Sequence, residues 1–302
     1  MTIALPVHSL TTPKTGLRAT ICESDIPLSA ALSAGPKALA VITGVVGASY
    51  RPLGACMVCD EAGNRTGNLS SGCIERDVAL HAALALKDGE PRRLRYGQGS
   101  PYRDLTLPCG GGLDVLILPN PDKTALAKAA TALADRQSVS LDLLDITLEI
   151  RPELRFLIFG KGPETRALSH LAHAAGYLVK TFSPDPETLA GLPNARPLTA
   201  PIWPHDLKTD PRTAVALFFH DHDWEPPLLS HALRSDAFYI GAQGSKRAHE
   251  SRCMALQDIG MTQPEIERLA SPFGLIPSVR DPKTLAVSVL SHVLDRAQTS
   301  RG

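Results

Sequence analysis

Residues 155–182 read RFLIFGKGPETRALSHLAHAAGYLVKTF. Arg155 to Phe159 is a short apolar run with the length of a buried strand. Gly160-Lys161-Gly162 turns the chain, and Pro163 sits at the first helical position, where its missing N–H is harmless. A helix is expected from Pro163 to Ala175 and a second strand from Leu178 to Phe182. This is a strand–helix–strand half of a parallel α/β sheet, so the C-terminal part of the chain reads as a Rossmann-like domain.

Further strands are expected at Val215 to Phe219 and Phe238 to Ile240, with a helix near Pro227 to Arg234 between them. Helices follow at Ser245 to Ile259 and from Asp281-Pro282 to about Ala297, with a capping box at Thr262-x-x-Glu265 between them. Upstream of Arg151-Pro152 the pattern changes to an α+β domain. Ala38 to Val46 and Ala55 to Cys59 read as strands, with turn residues Glu61 to Asn64 before a short return strand. A period of 3.6 from Gly72 to Lys87-Asp88-Gly89 marks a helix. Strands at Arg92 to Tyr96 and Leu113 to Leu118 flank a glycine-rich loop, and a helix at Lys123 to Arg136 leads to a strand-rich connector. The reading is therefore a poorly patterned lead-in over 1–35, with a short helix at Pro27 to Ser33, an α+β domain over 36–150 and a Rossmann-like domain over 151–302.

The 302 residues carry 31 basic and 31 acidic side chains and are 43% hydrophobic. A neutral chain has no global field to gather nucleic acid or anionic lipid, and the densest basic run, Arg92, Arg93 and Arg95, alternates as a solvated strand face does. No export signal or membrane span is expected, which points to the cytoplasm. The six cysteines then read as thiols rather than as a disulfide framework.

The candidate chemistry lies at glycines and cysteines. Gly160 and Gly162 open a helix after a strand, where backbone N–H groups take phosphate. Thr165 replaces the third glycine of the dinucleotide pattern, and Asp185 comes two residues late for a ribose hydroxyl, so the turn reads either as a nucleotide site or as a turn alone. Gly241, Gln243, Gly244, Ser245 and Arg247 form a second glycine loop at a helix start, read as an anion cradle or as an ordinary helix start. His220-Asp221-His222-Asp223 reads as a metal site or a hydrogen-bonded loop. Cys73, expected in a first helical turn, and Cys109, followed by Gly110, Gly111 and Gly112, read as soft-metal thiolates or as small buried residues. Cys56 and Cys59 share a strand at a spacing that faces them apart, which favours packing over chelation.

Taken in order, Gly47 to Met57, Gly67 to Glu75, Cys109 to Asp114, the turn at 160–162, His220 to His222, Ile240 to Arg247 and Pro272 to Leu275 resemble the xanthine dehydrogenase accessory (XdhC/CoxI) family. The resemblance spans roughly residues 36 to 295. It implies a chaperone rather than an enzyme: a protein that holds the molybdenum cofactor, as molybdopterin or its dinucleotide form, while a cysteine desulfurase partner supplies a sulfido ligand. The cofactor then passes to a xanthine dehydrogenase-type apo-enzyme, in the setting of purine catabolism. A homo-oligomer is implied, without nucleic acid or membrane. Cys73 and Cys109 match the family's cysteines, with Cys109 as the molybdenum contact, and the cofactor's phosphate or nucleotide tail is expected against the glycine loops. Two other readings are an NAD(P)-dependent oxidoreductase using Gly160 and Gly162, and a zinc-binding structural protein using Cys56, Cys59, Cys73 and Cys109.

Overall fold

The computed structural model describes residues 16–98, 100, 110–219 and 223–299. The chain divides into two compact units, Met1–Pro152 and Glu153–Gly302.

The first unit runs β1 (Leu17–Cys22), α1 (Leu28–Leu32), β2 (Lys37–Val46), β3 (Cys56–Asp60), β4 (Arg65–Gly67), α2 (Glu75–Asp88), β5 (Arg92–Gly97), β6 (Gly112–Pro119), α3 (Lys123–Ala134), β7 (Val139–Leu143) and β8 (Ile146–Arg151). Strands β4-β3-β2-β6-β5 form an antiparallel sheet, and β1-β8-β7 form a second. The central strand β2 is apolar on both sides because both of its faces are covered. Ala38, Ala40 and Ile42 pack with Val78, Ala82 and Ala85 of α2, while Leu39 and Val41 pack with residues of α1, α3 and the second sheet. The lead-in is not unpatterned. Leu17 to Cys22 pairs in parallel with Ile146 to Arg151, and its buried Ala19 and Ile21 join the core of the unit.

The second unit runs β9 (Arg155–Gly160), α4 (Pro163–Ala174), β10 (Leu178–Ser183), α5 (Pro186–Leu189), β11 (Ala195–Pro197), β12 (Thr213–Phe218), α6 (Glu225–Leu233), β13 (Tyr239–Ala242), α7 (Lys246–Asp258), α8 (Gln263–Ile266), β14 (Leu269–Ala270) and α9 (Pro282–Thr299). Its six strands pair only in parallel, in the order β11-β10-β9-β12-β13-β14. This is the doubly wound Rossmann arrangement, which reverses between β9 and β12. Helices α4 and α9 cover Phe156, Ile158 and Phe218 on one face; α6 and α7 cover Leu157, Phe159 and Leu217 on the other. The fold is thus the expected one, an α+β unit followed by a Rossmann-like unit, with β1, β11 and β14 as strands not read from the sequence.

The capping box before α8 closes as expected: the Glu265 carboxylate accepts hydrogen bonds from the Thr262 backbone N–H (2.7 Å) and hydroxyl (2.8 Å). With Arg234 bonded to the same carboxylate, these contacts hold the Glu265 pKa down to about 2, the Thr262 N–H first. A depressed folded pKa contributes stability above the unfolded value near 4.5, and the contribution disappears as pH falls toward 2. Glu265→Gln is therefore expected to flatten the stability profile across that window and leave its shape above pH 5 unchanged, measured by urea unfolding as a function of pH. An unchanged acid slope would contradict it.

Candidate functional site at the carboxyl edge of the parallel sheet

The carboxyl ends of β12 and β13 open onto a cleft of about 940 Å³, walled by the loop and helix after β13 and by residues 270–280. Its geometry starts from two glycines. Gly241 leaves room for the Phe273 ring, whose Cδ2 lies 2.5 Å from where a Cβ would stand. Gly244 has φ +156°, and a Cβ there would lie 2.9 Å from that of Ala248.

The loop between them is pinned from both sides. Gln243 donates its N–H to the Leu217 carbonyl (2.9 Å) and accepts at its own carbonyl from Arg252 Nη2 (2.7 Å). Arg252 in turn makes a two-pronged ion pair with Glu225, the first residue of α6, through Nε to Oε2 (2.9 Å) and Nη2 to Oε1 (3.1 Å). Both side chains are only 3% exposed. Ser245 caps α7 and accepts from the Ala248 N–H (3.2 Å).

The charge on the cleft wall has one sign. Lys246, Arg280 and the Glu225-paired Arg252 supply it beside the His249 imidazole, and no carboxylate lines the cleft among the described residues. Burial, reinforced by Arg252, holds the His249 pKa below the usual imidazole range. The outer wall hangs on α9: the Gly274 N–H donates to His292 Nδ1 (3.3 Å) and the Ile276 N–H to Ser288 Oγ (2.7 Å). Gln243, Gly244 and Ser245 of the sequence-expected anion cradle thus line one cleft, with Gly241 beneath Phe273. Arg247 is exposed and stands outside the lining.

The turn after β9 is arranged for packing. A Cβ on Gly160 would lie 2.6 Å from the Phe218 carbonyl oxygen and 2.5 Å from Thr165 Oγ1, so Thr165, fully buried, takes the space that Gly160 leaves. Thr165, which stands where the dinucleotide pattern has its third glycine, thus fills the space between helix and strand rather than loosening their contact. Gly162 (φ +84°) has the Glu164 carboxylate 3.7 Å from its Cβ position, and its N–H donates to Thr188 Oγ1 (2.8 Å). The late acid, Asp185, caps α5 by accepting from the Glu187 and Thr188 backbone N–H groups. Its hydrogen bonds, the Thr188 hydroxyl first, hold its carboxyl below the usual range. Both groups that a dinucleotide would use are committed within the protein, which counts against the NAD(P) reading.

In the first unit, Cys73 is exposed and lies in the loop before α2, whose first residue is Glu75, so the expected first-turn position is corrected by two residues. The buried Glu75 carboxylate occupies the turn instead. It accepts from the backbone N–H groups of Leu69, Ser70 and Ile74 and from the Ser70 hydroxyl, while the Cys73 N–H donates to Ser70 Oγ (3.0 Å). Gly111 gives room to backbone rather than to a ligand: a Cβ there would lie 2.7 Å from the carbonyl oxygens of Val46 and Ala48. Among the described residues, nothing lies within 4 Å of the Cβ position of Gly110 (φ +68°). Cys109 and His220 to His222 lie outside the described residues.

Cys56 and Cys59 are buried on opposite faces of their sheet, as the strand period requires, which removes the four-cysteine zinc reading. Burial pushes the Cys56 thiol far up and the Cys59 thiol up to about 11. In the native protein a thiol-exchange reagent is accordingly expected to modify Cys73 quickly and Cys56 and Cys59 only on unfolding. Counting fast thiols in Cys73→Ser and Cys56→Ser tests this: the first loses one and the second loses none, and the reverse order would contradict it.

Sequence reasoning missed Arg252, Glu225, His249 and Arg280. No local pattern joins them, since they meet only when α6, α7 and the segment before α9 converge. Among the described residues no helix is long and apolar enough to cross a membrane.

Comparison with known proteins adds a family to this geometry. Residues 31–97 match the model of the XdhC and CoxI family and residues 156–293 that of the XdhC Rossmann domain. The chain is 32% identical to the molybdenum cofactor insertion chaperone PaoD of Escherichia coli K12, over 88% of this chain and 85% of that protein. It is 24% identical to a probable xanthine dehydrogenase subunit of Bacillus subtilis 168, over 85% and 92% of the two. The crystal structure of a xanthine dehydrogenase from Bacillus halodurans superposes with a TM-score of 0.70 at 22% identity, over 91% and 96% of the chains, and supports the fold.

Proposed function

Because the chain belongs to the XdhC and CoxI family, we propose that it is a maturation factor, which carries the molybdenum cofactor as cargo and inserts it into a xanthine dehydrogenase-type molybdenum hydroxylase. The observation that carries this reading is the cleft at the carboxyl edge of the parallel sheet, with cationic and hydroxyl groups on its wall and no carboxylate among its described lining. Such a wall suits a ligand that ends in phosphate, as this cofactor does, and the similarity to an insertion chaperone supplies the kind of cargo. A carrier needs binding that is firm and reversible. Hydrogen bonds from a pinned loop, with one exchangeable thiolate at the metal end, meet that need.

In this reading Cys109 and the exposed Cys73 serve the molybdenum end, Cys109 as the metal contact, because thiolates are soft ligands. Gly110, next to Cys109 in the chain, has no described residue within 4 Å of its Cβ position, which supports a ligand approaching the backbone there. A cysteine desulfurase delivers the sulfur for a terminal sulfido ligand while the cofactor is held. The protein acts in the cytoplasm, as a homo-oligomer, upstream of an enzyme of purine catabolism. Reconstitution tests the function: apo molybdenum hydroxylase incubated with free cofactor, with and without this protein. The expected result is a severalfold higher yield of active enzyme with the protein present. An equal yield would contradict the proposal.

A further inference from the structure

One pair of metal-ligating side chains has no part in the proposed function. His249 and Cys253 lie one turn apart on α7, the spacing that brings two side chains onto the same helix face. His249 Nε2 and Cys253 Sγ are 3.6 Å apart. Both residues are half-buried; His249 belongs to the cleft wall, and Cys253 packs against the core of the second unit. The separation has a chemical meaning. Bonds of about 2.3 Å to sulfur and about 2.0 Å to nitrogen, at a tetrahedral angle, hold the two donor atoms about 3.5 Å apart. Without an ion the contact is a thiol–imidazole hydrogen bond; with one, the same spacing is the bite of two ligands. The charges nearby come close to balance, since Arg252 is paired with Glu225 and Lys246 stands 4.0 Å from Glu250. A depressed His249 pKa keeps the imidazole neutral and a nitrogen lone pair available at neutral pH. Burial pushes the Cys253 thiol up, so a cation must take the place of its proton.

We propose that His249 Nε2 and Cys253 Sγ form a two-ligand site for a thiophilic cation of the zinc class, at the edge of the cleft. The thiol proton leaves to solvent, the imidazole keeps its proton on Nδ1, and no oxidation state changes. Among the described residues no third His, Cys, Asp or Glu completes a set. The ion's remaining positions are therefore left to water or to an incoming ligand, the pattern of an open site rather than a structural one. The site differs from the four-cysteine zinc reading in its residues, uses neither Cys73 nor Cys109, and stands or falls independently of the carrier reading.

Cadmium is the probe, because its bond to a thiolate absorbs in the ultraviolet whereas zinc is silent. The full-length protein carrying Cys73→Ser and Cys109→Ser, which removes the thiols assigned to the cofactor, is titrated anaerobically. A thiolate–cadmium band is expected to appear and saturate, and excess zinc is expected to abolish it by displacement. Cys253→Ala, which keeps an apolar side chain against the core, loses the band. His249→Ala weakens binding by about 10-fold or more, and His249→Cys, which sets two thiolates at the same spacing, matches or exceeds the parent. Thermal melting of each variant confirms folding, and where one substitution prevents it the others decide. A band undiminished in Cys253→Ala, equal affinity in the parent and His249→Ala, or no thiolate absorption at saturating cadmium overturns the assignment.

Discussion

Glu225→Ala is expected to lower the stability of the second unit by about 3 to 5 kcal/mol, the scale for removing one partner of a buried ion pair. The two-pronged geometry and the 3% exposure of both side chains mean that the pair has little access to water. Without the carboxylate, the Arg252 guanidinium stays buried and keeps its hydrogen bond to the Gln243 carbonyl, a neutral acceptor that cannot balance its charge. The attraction alone does not set the size of the effect; the uncompensated charge does. Replacing both partners, Glu225→Leu with Arg252→Met, is therefore expected to recover most of the loss, because apolar side chains of similar volume need no counter-charge. The double variant should fold yet bind phosphorylated ligand poorly, since the loop carbonyl has lost the guanidinium that fixes it. Urea unfolding at constant m-value measures the stability of both variants. A single-variant loss below about 1 kcal/mol, or a double variant no better than the single, would contradict the reading of the pair.

Gly160→Ala is the second large effect, about 3 kcal/mol, at the upper end for overpacking a core site. The obstacle is what makes it severe. A Cβ at this position meets the Phe218 carbonyl oxygen at 2.6 Å and the Phe218 Cβ at 2.7 Å, and Phe218 belongs to the neighbouring strand of a parallel ladder. Backbone held by its own hydrogen bonds cannot turn aside, so β9 and β12 must separate where the sheet reverses. Adding Thr165→Ala removes the third obstacle, the hydroxyl at 2.5 Å, and should rescue little. Gly241→Ala offers the contrast. There the obstacle is a side-chain ring, that of Phe273, so a smaller residue at 273 should relieve the clash even as it opens the cleft wall. Equal rescue at both sites would mean that the strand contact is softer than this geometry implies.

The βαβ unit is legible in the sequence because its information is local: an apolar run, a glycine turn with Pro163 at the helix start, and a second apolar run follow each other directly. The same holds for Ser245 as the cap of α7 and for the Thr262–Glu265 box. Strand β1 is not legible, because its partner β8 lies at the other end of the unit and its pattern of half-buried residues is indistinct without that partner. Ser70-Ser71-Gly72 has the composition of a helix cap, which is why the sequence suggests a helical turn for Cys73. The turn is in fact organised by Glu75, whose carboxylate folds back onto three backbone N–H groups. Of the cleft, the glycine loop can be read and the rest cannot. Glu225, Arg252 and Arg280 acquire meaning only from tertiary proximity, which no window of sequence contains.

Anaerobic binding of molybdenum cofactor to the purified protein tests the central claim most directly, with Cys73→Ala and Cys109→Ala variants alongside and with zinc and NAD(P) as controls. The expected result is near-stoichiometric cofactor binding, weakened by at least about 10-fold in one of the cysteine variants, and no saturable binding of NAD(P). Saturable NAD(P) binding with no retention of the cofactor would contradict it.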